Sequence, residues 1–447
     1  MVLAACASPD PDAAFADLGQ AVFERLPEPV LWRTGGPEEA AVDARIAELL
    51  AEPLTADRAV AVALLSNRSV QALYTEIGIA QADVVEAGLL HNPMFEVMVR
   101  PSTEDGTNLE FGLVQNFLDI LMRPARQKIA AAEYDAVKLE IAAELVAFAG
   151  EVKEAYFEHL GARNARDAYD AIASTAKDAA DLAAAFHEAG NFSDLELAEI
   201  RAESEDAALE LMDAERDAAE SEIHLVKMLG LASGADFSMP RRLPATPATA
   251  LAAEGLEDQA LRERFDLQGL RAEVLAAAED LGLTEDFRLI DEAELGVSAE
   301  REPEGEWLIG PSLEFPLPVF DQGQTRVTQS TLRLRRAQDE LLARETQVRA
   351  EVRAALAVMA SNRSKARRLR ETVLPLKEEI TQLTLKDYNY MLTGPFELLE
   401  AEMHENETYL EYLEALTDYW IARAALQAAV GGRLPAPQSA SLSGDAS

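Results

Sequence analysis

Cysteine is nearly absent. Cys6 is the one thiol in 447 residues, so no intrachain disulfide can form and no cysteine cluster is present to bind zinc. Histidine is scarce as well. The five are His91, His159, His187, His224 and His404, and none sits in an H-E-x-x-H arrangement. The sequence contains no G-x-x-x-x-G-K-[ST], no G-x-S-x-G and no G-x-G-x-x-G. Nothing in it therefore supports catalysis, a cofactor or a resident metal. Glu400 with His404, one turn apart, is the one pair with the spacing of a site, and a solvated helix face has the same spacing. Long apolar runs are missing too. No stretch of about 18 apolar residues occurs, so a transmembrane helix is excluded, and a chain that spanned a bilayer would do so as a closed β-barrel. Basic residues are in deficit, 40 against 80 acidic, for a net charge of −40. That balance argues against nucleic acid or an anionic membrane surface as partner. It fits a solvated acidic surface, or a cavity that attracts cations.

What the sequence does contain is two copies of one pattern. Leu109-Glu110-Phe111 recurs as Leu313-Glu314-Phe315, and Gly190-Asn191-Phe192 recurs as Gly394-Pro395-Phe396, both at an offset of 204. A shared offset in matching contexts suggests a duplicated unit. Each copy reads helix, strand, strand, long helix, returning helix. In the first, Thr55 is suited to cap a helix that reaches about Leu90, where His91-Asn92-Pro93 breaks it. Phe95, Val97 and Val99 then alternate with Glu96, Met98 and Arg100. After a turn at Asp105-Gly106, Leu109, Phe111 and Leu113 alternate with Glu110, Gly112 and Val114. In the second, a helix over 258–281 precedes an alternating run around Leu295 and Val297, a turn at 302–305, and another run from Trp307 to Leu317. Such hairpins fit a transmembrane sheet with one lipid face and one wet face, and they fit a soluble amphipathic hairpin equally.

The run from Arg123 to His187 has no proline beyond Pro124 and is expected to form a helix of roughly 100 Å. Its apolar residues, among them Tyr134, Val137, Ile141, Leu145, Phe148, Val152 and Tyr156, recur at gaps of three and four. Leu334, Ala337, Leu341, Val348, Val352, Leu356 and Met359 do the same in the second copy, where Pro375 is expected to kink the helix. Returning helices are expected over 193–229 and 397–430, giving long antiparallel helical hairpins. Four strands cannot close a barrel alone, so oligomerisation would have to close it.

At the N-terminus, Leu3-Ala4-Ala5-Cys6 resembles the cleavage site that precedes a lipidated cysteine. Five residues before Cys6 are too few for a signal peptide. Lipidation of Cys6 in a longer gene product and a free thiol in a frayed end are the two readings.

Several stretches together resemble the TolC-type outer-membrane efflux proteins. They are Pro53-Leu54-Thr55 with the helix after it, Ala87-Gly88-Leu89-Leu90-His91-Asn92-Pro93 at the helix-to-strand junction, Gly394-Pro395-Phe396-Glu397-Leu398-Leu399-Glu400-Ala401 before the last helix, and Tyr419 to Gly431 at its close. The resemblance spans about 50 to 432. It implies an α+β membrane protein: a homotrimer whose long helical hairpins form an α-barrel and whose subunits each give four strands to one transmembrane β-barrel. It implies this order: an N-terminal lipoprotein-like and equatorial segment, 1–54; a first repeat, 55–231; an equatorial connector, 232–257; a second repeat, 258–432; and a disordered tail, 433–447. Some members are lipidated, which favours the lipid reading of Cys6. The implied role is passive. The channel would sit in the bacterial outer membrane, extend into the periplasm, and conduct substrate from an inner-membrane pump through a periplasmic adaptor, without cofactor, metal or catalysis. The cargo is left open among metal ions, drugs and polypeptides. A non-membrane coiled-coil scaffold or a periplasmic adaptor is the alternative.

The resemblance also places the periplasmic entrance and adaptor contact at the hairpin tips: Gly190, Phe192 and Asp194 on the first, and Gly394, Phe396, Glu397 and Glu400 on the second. Glu397 and Glu400 are three apart and share a helix face. In a trimer each inward-facing carboxylate becomes a ring of three that favours cations. Acids at a helix start are equally explained by the helix dipole.

Overall fold

The computed structural model describes residues 8–36, 39–102, 106–232, 234–290, 293–302 and 305–434. Cys6, the tail from 435 and parts of both expected strand turns lie outside the described residues. The element order is α1 (Pro11–Val22), α2 (Glu39–Leu50), α3 (Ala56–Ser66), α4 (Arg68–Ala87), β1 (Met94–Ser102), β2 (Gly106–Asn116), α5 (Leu118–Glu188), α6 (Asp194–Leu229), α7 (Leu256–Glu263), α8 (Phe265–Asp286), β3 (Glu294–Arg301), β4 (Trp307–Glu314), α9 (Gln324–Arg368), a π-helical turn (Leu369–Val373), α10 (Leu374–Asn389) and α11 (Pro395–Ala429). Helix–strand–strand–helix–helix thus occurs twice, from α4 to α6 and from α8 to α11.

The strands form one antiparallel sheet in the order β1-β2-β3-β4. Met94 pairs with Val114, Asn116 with Glu294, and Glu294 with Glu314, so the two hairpins join along β2 and β3. β4 ends at Glu314 rather than at Leu317. Pro316 and Pro318 follow at once and bring no N–H to a ladder.

Contacts divide the chain into two compact units, and each draws on both repeats. The first holds the described residues within 8–18, 73–142 and 265–346, including the sheet. Its helices meet closely where Gly269 of α8 faces α5: a Cβ there would lie 3.3 Å from the Ala136 carbonyl oxygen. Arg344 and Arg271 bind Asp266 and Glu345 between α8 and α9, at 2.8 and 3.1 Å. The junction below β1 is held by Asp119. This carboxylate is almost fully buried and takes His91 Nδ1 at 2.5 Å and Arg126 at 3.2 Å.

The second unit holds the described residues within 19–72, 143–264 and 347–434. Its core includes the fully buried Leu64, Leu65, Leu145, Leu160, Leu225, Leu229 and Tyr419. Each such leucine contributes about 1.5–3 kcal/mol by leaving water. α5 and α11 touch at glycine: Phe157 stacks on Trp420 with centroids 5.2 Å apart, and a Cβ on Gly161 would meet Thr417 Oγ1 at 2.3 Å. The connector after α6 is strapped down by side-chain hydrogen bonds. Trp420 Nε1 donates to the Pro244 carbonyl at 2.7 Å, and Asn164 bonds both Arg241 and Leu243.

The helix expected over 258–281 is broken at Arg264 into α7 and α8, and three other helices also differ from the sequence expectation. The helix expected from Thr55 to Leu90 breaks at Asn67, whose backbone is extended. Its side chain caps α4 through Ser69 N–H (2.9 Å) and closes α6 by donating to the Met228 carbonyl (2.9 Å). α5 begins at Leu118, ahead of Pro124, because Asn116 Oδ1 accepts the Leu118 N–H at 3.0 Å. At Pro375, where a kink is expected, the second long helix departs from α geometry without ending. A π-helical turn at Leu369–Val373 absorbs the missing donor, and the helix runs on to Asn389.

Candidate functional site: the hairpin tips and the sheet faces

At the first tip Gly190 ends α5 in the left-handed region, φ 78°. Its N–H donates to the His187 carbonyl (2.9 Å) and that of Asn191 to the Phe186 carbonyl (2.9 Å), a Schellman closure. Ser193 then caps α6. Its hydroxyl accepts the Glu196 N–H, while its own N–H and hydroxyl both donate to the Glu196 carboxylate at 2.7 Å. Those donors hold the Glu196 carboxyl below the usual range. Asp194 is exposed and lies 3.4 Å from His187 Nε2, whose other ring nitrogen donates to the Phe192 carbonyl.

The second tip closes in the same way with different residues. Leu392 N–H donates to Asp387 and Met391 N–H to Tyr388, both at 2.9 Å. Met391 takes the left-handed position, φ 58°, that Gly190 holds in the first tip. Gly394 is the N-cap of α11, and Glu397 accepts its N–H at 3.0 Å. The tips therefore correspond at an offset of 201: Gly190 with Met391, Ser193 with Gly394, Glu196 with Glu397. The 204 offset matches letters here, not roles. Glu397 is committed to its cap, whereas Glu400 is exposed, 3.9 Å from His404.

The two tips meet through their aromatic residues. Phe192 stacks on Phe396 at 5.6 Å and 28°, both rings pack against Ala183, Leu197 and Ile200, and Phe186 lies against Phe192 with centroids 5.5 Å apart. Sequence reasoning named both phenylalanines without pairing them; their recurrence at both tips was the available signal. Beside them, a cavity of about 330 Å³ between α5, α6 and α11 is walled by Glu203, Asp206, Glu210, Glu402 and Glu407, with no basic side chain in its lining. Burial, reinforced by Glu405, pushes the Glu402 carboxyl up.

The sheet has two chemically different faces. Register places Phe95, Leu113, Val297 and Pro311 in one row, Val97, Phe111, Ala299 and Ile309 in the next, and Val99, Leu109, Arg301 and Trp307 in a third. Phe111 stacks between Phe95 (6.4 Å) and Trp307 (6.1 Å). The opposite face carries Glu96, Gly112, Ser298 and Gly310 in one row and Met98, Glu110, Glu300 and Leu308 in another. The apolar face is uncovered: Phe95 is 64% and Ile309 71% exposed. No helix among the described residues is long and apolar enough to cross a membrane.

Residues 59–231 match the family described as outer membrane efflux protein. The cobalt-zinc-cadmium resistance protein CzcC of Cupriavidus metallidurans is 24% identical over 396 residues, 85% of this chain and 91% of that one. Over 59–231 the chain is thus similar to the outer membrane efflux protein family. Among solved structures, the outer membrane channel CmeC of Campylobacter jejuni superposes with a TM-score of 0.72 at 14% identity, over 85% of this chain and 86% of that one. The open state of the MtrE outer membrane channel of Neisseria gonorrhoeae gives 0.69 at 17%, over 84% and 88%. Those likenesses establish the fold: long helices joined to a four-stranded antiparallel sheet, in the arrangement of outer-membrane efflux channels. The efflux-family reading needs no catalytic group, and no set of three potential metal ligands converges among the described residues.

Proposed function

We propose that this protein is a homotrimeric outer-membrane channel of the efflux type that passively conducts substrate delivered by an inner-membrane pump and a periplasmic adaptor. The observation that carries this reading is the sheet. It has a continuous apolar face, a polar opposite face and two unpaired edges, and it is too narrow to close on itself. Three copies would supply twelve strands and leave no edge, with Phe95, Val97, Val99, Leu109, Phe111, Leu113, Leu295, Val297, Trp307 and Ile309 on lipid and Glu96, Glu110 and Glu294 on the lumen. Spin labels at the two sets in bilayers test this. Lipid-type accessibility at the first set alone is expected, and equal water exposure at both refutes the barrel.

In this reading the tips form the periplasmic entrance and the adaptor contact, through Gly190, Phe192, Asp194, Gly394, Phe396, Glu397 and Glu400. The acidic wall of the nearby cavity and the exposed Glu400 support cation preference. Because Glu397 is held by its cap, Glu400→Gln should reduce cation selectivity in planar bilayers more than Glu397→Gln does; the reverse order would refute this assignment. The name of the Cupriavidus relative favours divalent metal ions as cargo. Loss of zinc, cobalt and cadmium resistance on deletion of the gene is the corresponding test. Lipidation of Cys6 would add an anchor, and mass spectrometry of the membrane-extracted protein reads it.

A further inference from the structure

The outer edge of β4 contains a pattern that the ladder explains. Pro311 stands opposite Val297 and has no N–H, so that pair fits a non-hydrogen-bonded position. The flanking pairs, Ser298 with Gly310 and Gly296 with Ser312, are then the bonded ones. Even-numbered residues of β4 therefore turn their backbone groups toward β3, and odd-numbered ones turn theirs toward the bare edge. Past Glu314, β3 offers no further partner among the described residues, since Glu294 with Glu314 is the last pair. Residues preceding proline are held extended, so Phe315 and Leu317 continue the strand direction. Pro316 and Pro318 then fall on the side that has no ladder partner among the described residues, while Phe315 and Leu317 keep their N–H groups toward the open edge. Val319 ends the run by donating to the Leu317 carbonyl at 2.8 Å.

The same run is apolar and uncovered. Leu317 is 73% and Phe320 94% exposed. An open cavity of about 540 Å³ lined by Phe117, Leu289, Ile290, Leu313 and Phe315 borders its start. At the other edge of the sheet, Leu89 and Leu90 are also exposed, just before β1. Neighbouring strands of the sheet are antiparallel throughout, so β1 and β4 run in opposite directions. In a closed ring of copies, the C-terminal end of β4 meets the N-terminal end of the next copy's β1.

We infer that Phe315–Leu317 extends β4 as an edge strand onto the start of β1 in a neighbouring copy, and that Phe320 packs there on Leu89 and Leu90. This rests on the trimeric closure proposed above and adds a specific seam to it, placed where the barrel joins the helices.

Cysteine pairs in the full chain, oxidised in outer membranes, test the two separately. Leu317→Cys with Pro93→Cys or Phe95→Cys reports the seam, and Leu313→Cys with Val97→Cys or Val99→Cys reports barrel closure. Covalent dimers and trimers from both sets, absent in each single variant, are expected. Cross-links from the closure set alone overturn the seam and leave the trimer standing. Cross-links from neither refute the closed ring and the seam with it. Backbone polarity gives a second readout. Leu317→Pro removes an outward N–H and should lower the temperature at which trimers dissociate in detergent. Leu317→Ala should lower it less, and Pro316→Ala should leave it unchanged. Equal losses from Leu317→Pro and Pro316→Ala overturn the argument.

Discussion

Removing either ring of the Phe192–Phe396 stack should loosen the tips locally, and removing both should cost less than the sum. Truncating a fully buried phenylalanine to alanine costs about 3–5 kcal/mol, and both rings here are half-buried, so each single change should cost about 2 kcal/mol. An aromatic pair in stacked contact adds about 0.5–1.5 kcal/mol beyond area. The double-mutant cycle should therefore show coupling of that size, a factor of about 2 to 13 in the equilibrium for local opening. Phe192 also rests on Phe186, so Phe192→Ala should be the costlier single change. Hydrogen exchange of amides around residues 186–200 and 390–401 in the detergent-solubilised protein measures it, because tip opening need not unfold the rest of the chain. Coupling below about 0.3 kcal/mol would mean that the rings do not meet, and the reasoning would fail.

Three further outcomes follow from single positions. Met391→Gly should stabilise the second tip by about 1 kcal/mol in the same exchange experiment. It relieves a left-handed backbone and loses no packing, since Met391 is 92% exposed. Gly161→Ala should lower the thermal midpoint, because its Cβ would lie 2.3 Å from Thr417 Oγ1; the expected overpacking cost of about 1–3 kcal/mol exceeds the helix-propensity gain of about 1 kcal/mol, and Thr417→Ala in the same chain should restore stability. His159 is buried beside Ser221, and desolvation, with Arg163 and Arg166 opposing Glu222, lowers its pKa from 6.5. The unfolded chain then takes up the proton first as pH falls, so the stability it confers is present above about pH 6.5 and lost below it. Melting curves of His159→Asn between roughly pH 7 and pH 5 should show a shallower decline than those of the parent.

Much of the architecture was legible because it is carried by periodicity. The period-two alternation of Phe95–Arg100 and Leu109–Val114 predicted the strands, and the register aligns Phe95, Val97 and Val99 with Leu113, Phe111 and Leu109 on one face. The gaps of three and four from Tyr134 to Tyr156 predicted the long helix that α5 contains. What periodicity could not show was the breaks. Asn67 and Arg264 lie inside patterns that continue across them, and each break serves contacts made with residues distant in sequence. The helix Pro11–Val22 was missed because it stands within a stretch punctuated by proline and glycine. At the tips, letter matching gave the offset of 204 although the capping roles align at 201. The position that Gly190 fills freely is filled by Met391 under strain, and a methionine gives no sequence sign of a left-handed turn. The Phe192–Phe396 contact needed the three-dimensional fold, since no local rule joins residues so far apart.

The π-helical turn at Leu369–Val373 amounts to one residue added to a helix that never stops. One residue turns an α-helix by about 100°, so everything after the turn is rotated in phase relative to everything before it. Before it, Val348, Val352, Met359 and Ala366 are buried; after it, α10 buries none of its residues, and Leu376, Ile380 and Leu383 stand at least half exposed on one stripe. A single helix thus presents its first stripe inward and hands its second to whatever lies outside this chain. Deleting one residue from the turn would leave the helix nearly as long and the capping contacts local, yet swing that second stripe to a different neighbour. A change invisible to composition or helix content would rewrite which surface this half of the protein offers for assembly.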